Sequence, residues 1–161
     1  MVSCGGTTVN RDNTGSFTTE TAWSDSGGGD SLYESVPSYQ DNVTSVKNLV
    51  GSFRGTPDLA LDSDPNSGVS VYDSTPYHGL SGWFVLGGTS VAAPVWAGII
   101  NAAGRFSTSS SAELTTVYSN IGTGNFNDIT QGVCGPNLSY LTASGWDFCT
   151  GVGSDVANQG K

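Results

Sequence analysis

The chain has 161 residues, with 14 acidic and 5 basic side chains and a formal net charge of −9. This length suits one domain that can bury a core without metal or disulfide support, so we predict a single unit over residues 1–161. Nucleic-acid partners are excluded, because no stripe of Lys and Arg is available to meet phosphates. Membrane partners are not expected either, because the longest apolar run, around residues 91–104, is too short to span a bilayer.

The predicted elements indicate an α/β layered domain, since strands are mixed with a buried helix. In chain order they are a strand at 2–9 that enters a Gly5-Gly6 turn, a strand leading into a glycine loop at 17–31, a loop at 36–41, a short apolar piece at 59–61, strands at 69–72 and 82–86, a helix at 91–104, a weaker helix near 110–119 and loops over 120–155. The strand at 82–86 and the helix after it are apolar on every side, which predicts that both are buried.

Ser90 lies at the junction of that strand and helix, in the segment Gly-Gly-Thr-Ser-Val-Ala-Ala-Pro. A serine before a helix is ordinarily a cap for the unpaired N–H groups of the first turn. Here Gly87 and Gly88 allow a close backbone approach, and two alanines leave room above the helix end. A substrate carbonyl could therefore reach Ser90 Oγ, with a backbone N–H nearby for an oxyanion. From these residues alone, both the cap and the nucleophile stay open.

Three cysteines stand at positions 4, 134 and 149. Cys134 and Cys149 could close a short loop, which would stabilise the fold by about 3 kcal/mol in the chain-entropy model. They could equally be two free buried thiols. Cys4 is the odd one out in the first case.

The segment around Ser90, extended through Val-Trp-Ala-Gly, resembles the nucleophile segment of the sedolisins, the serine-carboxyl peptidases of subtilisin-like fold. Other segments resemble the same family in the same order: Val2-Ser-Cys-Gly-Gly-Thr-Thr-Val, Glu20-Thr-Ala-Trp-Ser, Pro37-Ser-Tyr-Gln, Arg54-Gly-Thr-Pro-Asp, Phe126-Asn-Asp-Ile-Thr and Gly145-Trp-Asp. The resemblance covers nearly the whole chain. It implies a three-layer fold with a mostly parallel sheet, of which this chain is the C-terminal portion, and a serine endopeptidase with Ser90 as nucleophile.

The resemblance also implies that the activating groups lie elsewhere. In sedolisins a glutamate base, an aspartate on the same helix and an oxyanion-hole aspartate precede the region matched here. Glu20, Glu34 and Glu113 lie in the wrong segments to replace them. We therefore expect these 161 residues to be the C-terminal part of a catalytic domain, inactive alone, with the N-terminal half as partner and proteins or peptides as substrates at acidic pH.

A secreted enzyme is expected, both from the family and from the acidic, lysine-poor composition, although residues 1–4 have no signal-peptide character. A carboxylate base suits acidic surroundings because it stays ionised where histidine would be protonated.

Two aspartates in glycine-rich loops, Asp128 and Asp147, are weak calcium candidates by themselves, since Asn-Asp and Gly-x-Asp are common turn formers. The family resemblance implies one calcium ion at this corner, bound by both carboxylates and by backbone carbonyl oxygens. The carbonyls carried over are those of Ile129, Ala143 and Gly145. Position 143 is the least certain assignment, because the loop between the aspartates varies in length.

Two other readings stay open. One is a non-catalytic, calcium-stabilised binding module on the peptidase scaffold. The other is a histidine-dependent subtilisin relative, but subtilisins usually have histidine where Val95 follows the motif's proline, and the single His78 lies in a turn-like Tyr-His-Gly setting. We expect His78 to be a loop histidine rather than a base.

Overall fold

A computed structural model describes residues 1–161, with eleven strands, four helices and one 3₁₀ turn. The strands are β1 (Cys4–Arg11), β2 (Phe17–Ala22), β3 (Gly29–Ser35), β4 (Phe53–Thr56), β5 (Leu59–Asp62), β6 (Val69–Tyr77), β7 (Leu80–Leu86), β8 (Phe126–Asn127), β9 (Val133–Cys134), β10 (Tyr140–Leu141) and β11 (Ser154–Asp155). The helices are α1 (Ser38–Asp41), α2 (Thr44–Val50), α3 (Thr89–Ala103) and α4 (Ser110–Ser119), and the 3₁₀ turn is Pro136–Leu138.

A three-stranded sheet in the order β2-β1-β5 forms the centre of the molecule. A short turn joins β1 to β2, so these strands pair antiparallel, whereas β1 and β5 pair parallel. Parallel pairing is confined to that one pair among these residues, and four two-stranded ribbons are antiparallel. Helices packed on a mixed sheet place the chain in the predicted α/β class.

The core lies where α3 crosses β5 and β1. The apolar piece predicted at 59–61 is β5, whose Leu59 and Ala60 are fully buried, as expected for a parallel strand covered on both faces. Ala92 and Trp96 pack onto it from α3. The C-terminal segment runs along β5, where the Gly153 carbonyl accepts a hydrogen bond from the Ala60 N–H. This packing fixes the start of α3 relative to the sheet.

The predicted burial of the strand at 82–86 and of the helix after it is wrong for these residues. The strand is β7, which forms a hairpin with β6 and leaves Trp83 74% exposed and Val85 58% exposed. The helix is α3, but Ala93 and Pro94 are exposed on its outer side. Both elements are apolar on every side, yet no other element of the 161 residues packs on the outer side.

The loop predicted at 36–41 is also wrong in part, because α1 begins at Ser38 directly after Pro37, which takes the N-cap position in an extended conformation. The Gly5-Gly6 turn is absent as well. Both glycines lie inside β1, where a Cβ at Gly5 would come 2.6 Å from the Cys149 carbonyl oxygen.

The helix near 110–119 is confirmed as α4, capped by the Ser109 side chain, which accepts a hydrogen bond from the Ala112 N–H. No helix has the length and apolar character needed to cross a bilayer.

The structure resolves the cysteine alternatives. Cys134 and Cys149 form a disulfide with their Cα atoms 5.6 Å apart, and Cys4 is free. Burial raises the pKa of the Cys4 thiol to about 11, so that thiol is protonated and unreactive at neutral pH. The bridge ties β9 to the loop that carries Asp147.

Replacing both bridging cysteines by alanine in the complete gene product is expected to lower the free energy of unfolding by about 3 kcal/mol, because the bridge closes a loop of 15 residues. Urea denaturation measures the change. Cys4→Ala is the matched control, because Cys4 is free, and it should keep the parent's urea midpoint and the parent's response to reductant. The midpoint of the double variant should not respond to reductant. A double variant with the parent's midpoint would contradict the structural role of the bridge.

Candidate active site and calcium corner

Ser90 is the second residue of α3 and is exposed to solvent. The N-cap position belongs to Gly88, and no side chain caps the helix. The alternative that Ser90 is a helix cap is therefore excluded. Its hydroxyl forms no hydrogen bond within the chain, and it lies in the first turn, where backbone N–H groups lack intrahelical partners and the helix carries partial positive charge.

Two glycines bring the serine to this position. A Cβ at Gly87 would lie 2.5 Å from the Ser63 carbonyl oxygen and 2.5 Å from the Pro65 nitrogen, so only glycine allows the chain to pass this close to residues 63–65. Gly88 has φ 104°, a conformation that L side chains rarely adopt. The Gly88 N–H donates to the Ser63 carbonyl at 2.5 Å and anchors the turn from which α3 starts. The glycine pair thus has the structural use that the sequence predicts.

No ionisable side chain forms a hydrogen bond with Ser90. His78 lies in the turn between β6 and β7 with φ 50°, its ring against Tyr77. The seven residues of β7 separate this turn from the Gly87 end, which corresponds to roughly 20 Å of extended strand. His78 is a turn residue and not a base for Ser90.

The three glutamates considered in the sequence have other partners. Glu20 accepts hydrogen bonds from Thr7, Asn127 and Ser154. Glu34 lies 3.5 Å from an Arg54 nitrogen. Glu113 is buried and pairs with Lys161 and Ser107. Each carboxylate has a structural role away from the start of α3.

The predicted calcium ligands meet at one loop. Asp128 Oδ2 accepts hydrogen bonds from the Gly145 N–H at 2.9 Å and from the Ser144 hydroxyl at 3.0 Å. Asp147 Oδ2 accepts the Ala143 N–H at 2.9 Å. The two carboxylates therefore hold the same three residues, 143–145, from two sides. Ile129, which follows Asp128, is buried and anchors that side of the corner.

Known proteins align with nearly the whole chain. No family model matches the chain. Kumamolisin from Bacillus sp. (strain MN-32) is 30% identical over 97% of this chain and 29% of its own length. Sedolisin from Pseudomonas sp. (strain 101) is 30% identical over 98% of this chain and 28% of its own length. The solved structure titled Pseudomonas sedolisin (serine-carboxyl proteinase), complexed with two molecules of pseudo-iodotyrostatin, superposes with a TM-score of 0.73 at 28% identity.

The chain belongs to the sedolisin family. It aligns with a C-terminal part of the longer relatives and spans less than a third of the length of the curated ones. The solved sedolisin is matched over 43% of its chain and 96% of this one, which confirms the predicted fold class. The solved relative is described as a serine-carboxyl proteinase.

The two carboxylates have the chemistry of calcium ligands, as the sedolisin resemblance implies, whereas Ala143 and Gly145 turn N–H groups and not carbonyl oxygens toward them. Asp147 is 4% exposed and forms no ion pair, since the four ion pairs of the chain involve other carboxylates. Burial raises the pKa of Asp147, against the hydrogen bonds it accepts from Ala143, Thr150 and Cys149. A buried carboxylate without a basic partner is a group that a cation stabilises. The chain has no cluster of three or more acidic, histidine or cysteine side chains that could hold a metal ion.

Sequence reasoning missed a buried polar network beneath the site. Asp58 is fully buried and accepts hydrogen bonds from Arg54 at 2.8 Å, from the Tyr118 hydroxyl at 3.1 Å and from the Ser3 N–H at 2.7 Å. Burial raises the pKa of the Asp58 carboxyl despite these partners. The network ties α4 to the start of β5. Its sequence signals are the i, i+4 spacing of Arg54 and Asp58 and the resemblance of the segment Arg54-Gly-Thr-Pro-Asp to the sedolisins, and neither indicates that Asp58 is buried.

Proposed function

We propose that this chain is the C-terminal part of a sedolisin-type catalytic domain, in which Ser90 is the nucleophile of a secreted serine endopeptidase acting on proteins or peptides at acidic pH. The observation that carries the proposal is the position of Ser90, exposed and uncapped in the first turn of α3 behind a glycine pair. Membership of the family supplies the reaction class, and the peptidase complex with pseudo-iodotyrostatin supports a peptide-like ligand.

In the proposed reaction Ser90 Oγ attacks the scissile carbonyl carbon, and its proton passes to a carboxylate base. Family resemblance places that base, its partner aspartate and the oxyanion aspartate upstream of the matched region. The N-terminal end of α3 contributes partial positive charge where the carbonyl oxygen becomes an oxyanion. As the C–N bond breaks, the base gives its proton to the leaving amine and the acyl group stays on Ser90. Water then attacks the acyl group, its proton passes to the base, and the base returns that proton to Ser90 Oγ as the acid product leaves. The chain thus supplies the nucleophile and part of the electrostatic environment.

We also propose that one calcium ion is held by the carboxylates of Asp128 and Asp147 and by the carbonyl oxygens of Ile129, Ala143 and Gly145. Ala143 and Gly145 turn their N–H groups toward the aspartates, and Ser144 turns its hydroxyl toward Asp128. Binding an ion therefore needs this loop to present carbonyl oxygens instead. The ion would stabilise the loop that joins β10 to the C-terminal segment and would take no part in the chemistry at Ser90. The buried disulfide beside it fits a protein of an oxidising, extracellular compartment.

Peptide cleavage at acidic pH tests the proposal on two proteins, the purified 161-residue chain and the complete gene product. The chain alone is expected to show no turnover, because a serine without an activating partner is a weak nucleophile. The complete product is expected to cleave peptides in a Ser90-dependent way.

The isolated chain is expected to aggregate, because the apolar faces of α3 and of the β6–β7 hairpin are exposed. Light scattering, run in parallel with the cleavage assay, measures this aggregation.

Robust Ser90-dependent turnover by the isolated chain would show that no upstream base is needed and would contradict the proposed division of the site. A complete product that is folded, binds peptide and never cleaves it would favour the non-catalytic binding module instead.

A further inference from the structure

Two tripeptides of the chain have the pattern Asn-x-Ser/Thr with a residue other than proline in the middle, Asn42-Val43-Thr44 and Asn137-Leu138-Ser139, and no other asparagine is followed in this way. This pattern is the acceptor sequence for N-linked oligosaccharides in secreted proteins. Because such tripeptides also occur by chance, what decides their use is the surface on which they lie.

The first tripeptide forms an outward corner between two helices. Asn42 is the C-cap residue of α1, and Thr44 is the first residue of α2. Both are exposed, whereas Gln40 and Val46 on either side are fully buried and hold the corner in place. Val43 between them is in an extended conformation with φ −105° and ψ 102°. The amide and the hydroxyl therefore both project into solvent.

The second tripeptide lies on the 3₁₀ turn inside the disulfide loop. Asn137, Leu138 and Ser139 are all exposed, and the first two have positive φ angles of 55° and 54°. A substituent on Asn137 would point away from the core, because the turn is anchored by Cys134, which is fully buried, and not by its own side chains.

Neither acceptor amide is used within the protein. Other asparagines are, since the Asn66 amide donates to Asp64 and the Asn127 amide donates to Glu20. Asn42 and Asn137 form no side-chain hydrogen bond, so attaching a sugar breaks no existing contact. The Cys134–Cys149 disulfide is an independent indication of an oxidising compartment, and the lumen in which N-linked glycans are transferred is one such compartment.

We propose that Asn42 and Asn137 are acceptor sites for N-linked glycans. The donor is an oligosaccharide linked to a lipid through pyrophosphate, used by the transferase of a secretory compartment. The side-chain amide nitrogen forms a bond to C1 of the first sugar, and the bond between C1 and the pyrophosphate oxygen breaks. The lipid pyrophosphate leaves, and the amide proton is lost to a base of the transferase. No electron transfer is involved.

The test is the complete gene product passed through the secretory pathway of a yeast host, analysed by intact mass and by peptide mapping after treatment with peptide:N-glycosidase. A glycan is expected at each of Asn42 and Asn137, and the enzyme should leave aspartate at both positions. Thr44→Ala should remove the glycan at Asn42 with the asparagine intact, while Thr44→Ser should keep it. Ser139→Ala and Ser139→Thr form the equivalent pair for Asn137.

Asn13 is an internal control, because it is exposed but has Gly15 two residues later and should stay unmodified. Material retained inside the cells is analysed together with secreted material, so a variant that folds poorly still reports its glycans. A mass equal to that of the bare sequence in both pools would overturn the proposal. Modification of one asparagine alone would support that site and overturn the other.

Discussion

Replacing Ser90 by alanine in the complete protein is expected to reduce kcat for peptide cleavage by on the order of 10⁶-fold, the effect seen when the nucleophile of a serine peptidase is removed. The free energy of unfolding should change by less than about 0.5 kcal/mol, because Ser90 is exposed and does not cap α3. KM should change little, since the hydroxyl contributes to the transition state and not to binding of the peptide.

The control for this variant is Ser81→Ala, which removes an equally exposed serine from the strand that leads into the same turn. Its kcat is expected to equal that of the parent. Thermal melts of both variants show whether lost activity reflects chemistry or folding. If Ser90→Ala keeps its kcat within tenfold of the parent while Ser81→Ala behaves normally, Ser90 is not the nucleophile and the proposed function fails.

The sequence predicted the elements at the site better than their surroundings. A run of apolar residues after Ser90 predicts a helix, and α3 is there, but burial depends on what packs around a helix. Ala92 and Trp96 are buried because β5 and β1 lie beneath them, while Pro94 is exposed because nothing in these residues lies above it. The residue types of a helix show which of its faces are apolar, but they do not show whether another element packs against each face.

Contacts between residues far apart in the chain also could not be predicted from the sequence. Cys134 and Cys149 could be free or bridged in the sequence, and only the fold brings their Cα atoms to 5.6 Å. Asp58 directly precedes the apolar piece predicted at 59–61, and it is fully buried because β5 pairs with β1, packs against α3 and carries Asp58 inside. Its partner Tyr118 comes from α4, sixty residues along the chain. No local pattern contains such a contact.

The calcium corner combines both kinds of inference. Family resemblance named the ligands, and the fold brings Asp128 and Asp147 to one loop although they are 19 residues apart. The structure also shows that the two aspartates differ in burial, which the sequence does not indicate. Asp147 is buried and accepts hydrogen bonds from the N–H groups of Ala143, Cys149 and Thr150, whereas Asp128 is exposed. The two substitutions at this corner should therefore behave differently.

Asp128→Asn and Asp147→Asn, made in the complete protein, are both expected to lower Tm in calcium and to remove most of the difference between calcium and chelator. A ligand that binds only the folded state stabilises it by about 2.7 kcal/mol at a hundredfold excess over Kd. Asp128→Asn should melt like the parent in chelator, since it loses little besides the ion. Asp147→Asn should melt lower still, because an amide nitrogen cannot accept the N–H groups that the carboxylate holds.

Acid should remove the calcium effect, because the ion needs ionised carboxylates and protons compete for them. Burial raises the pKa of Asp147, so this carboxylate takes up its proton at a higher pH than an ordinary aspartate does. Calcium protection is therefore expected to fade as the pH falls through that raised pKa. Differential scanning calorimetry across pH measures it, and Asp25→Asn, which changes an exposed aspartate outside the corner, is the control. Variants at 128 and 147 whose Tm responds to chelator as the parent's does would rule out an ion at this loop.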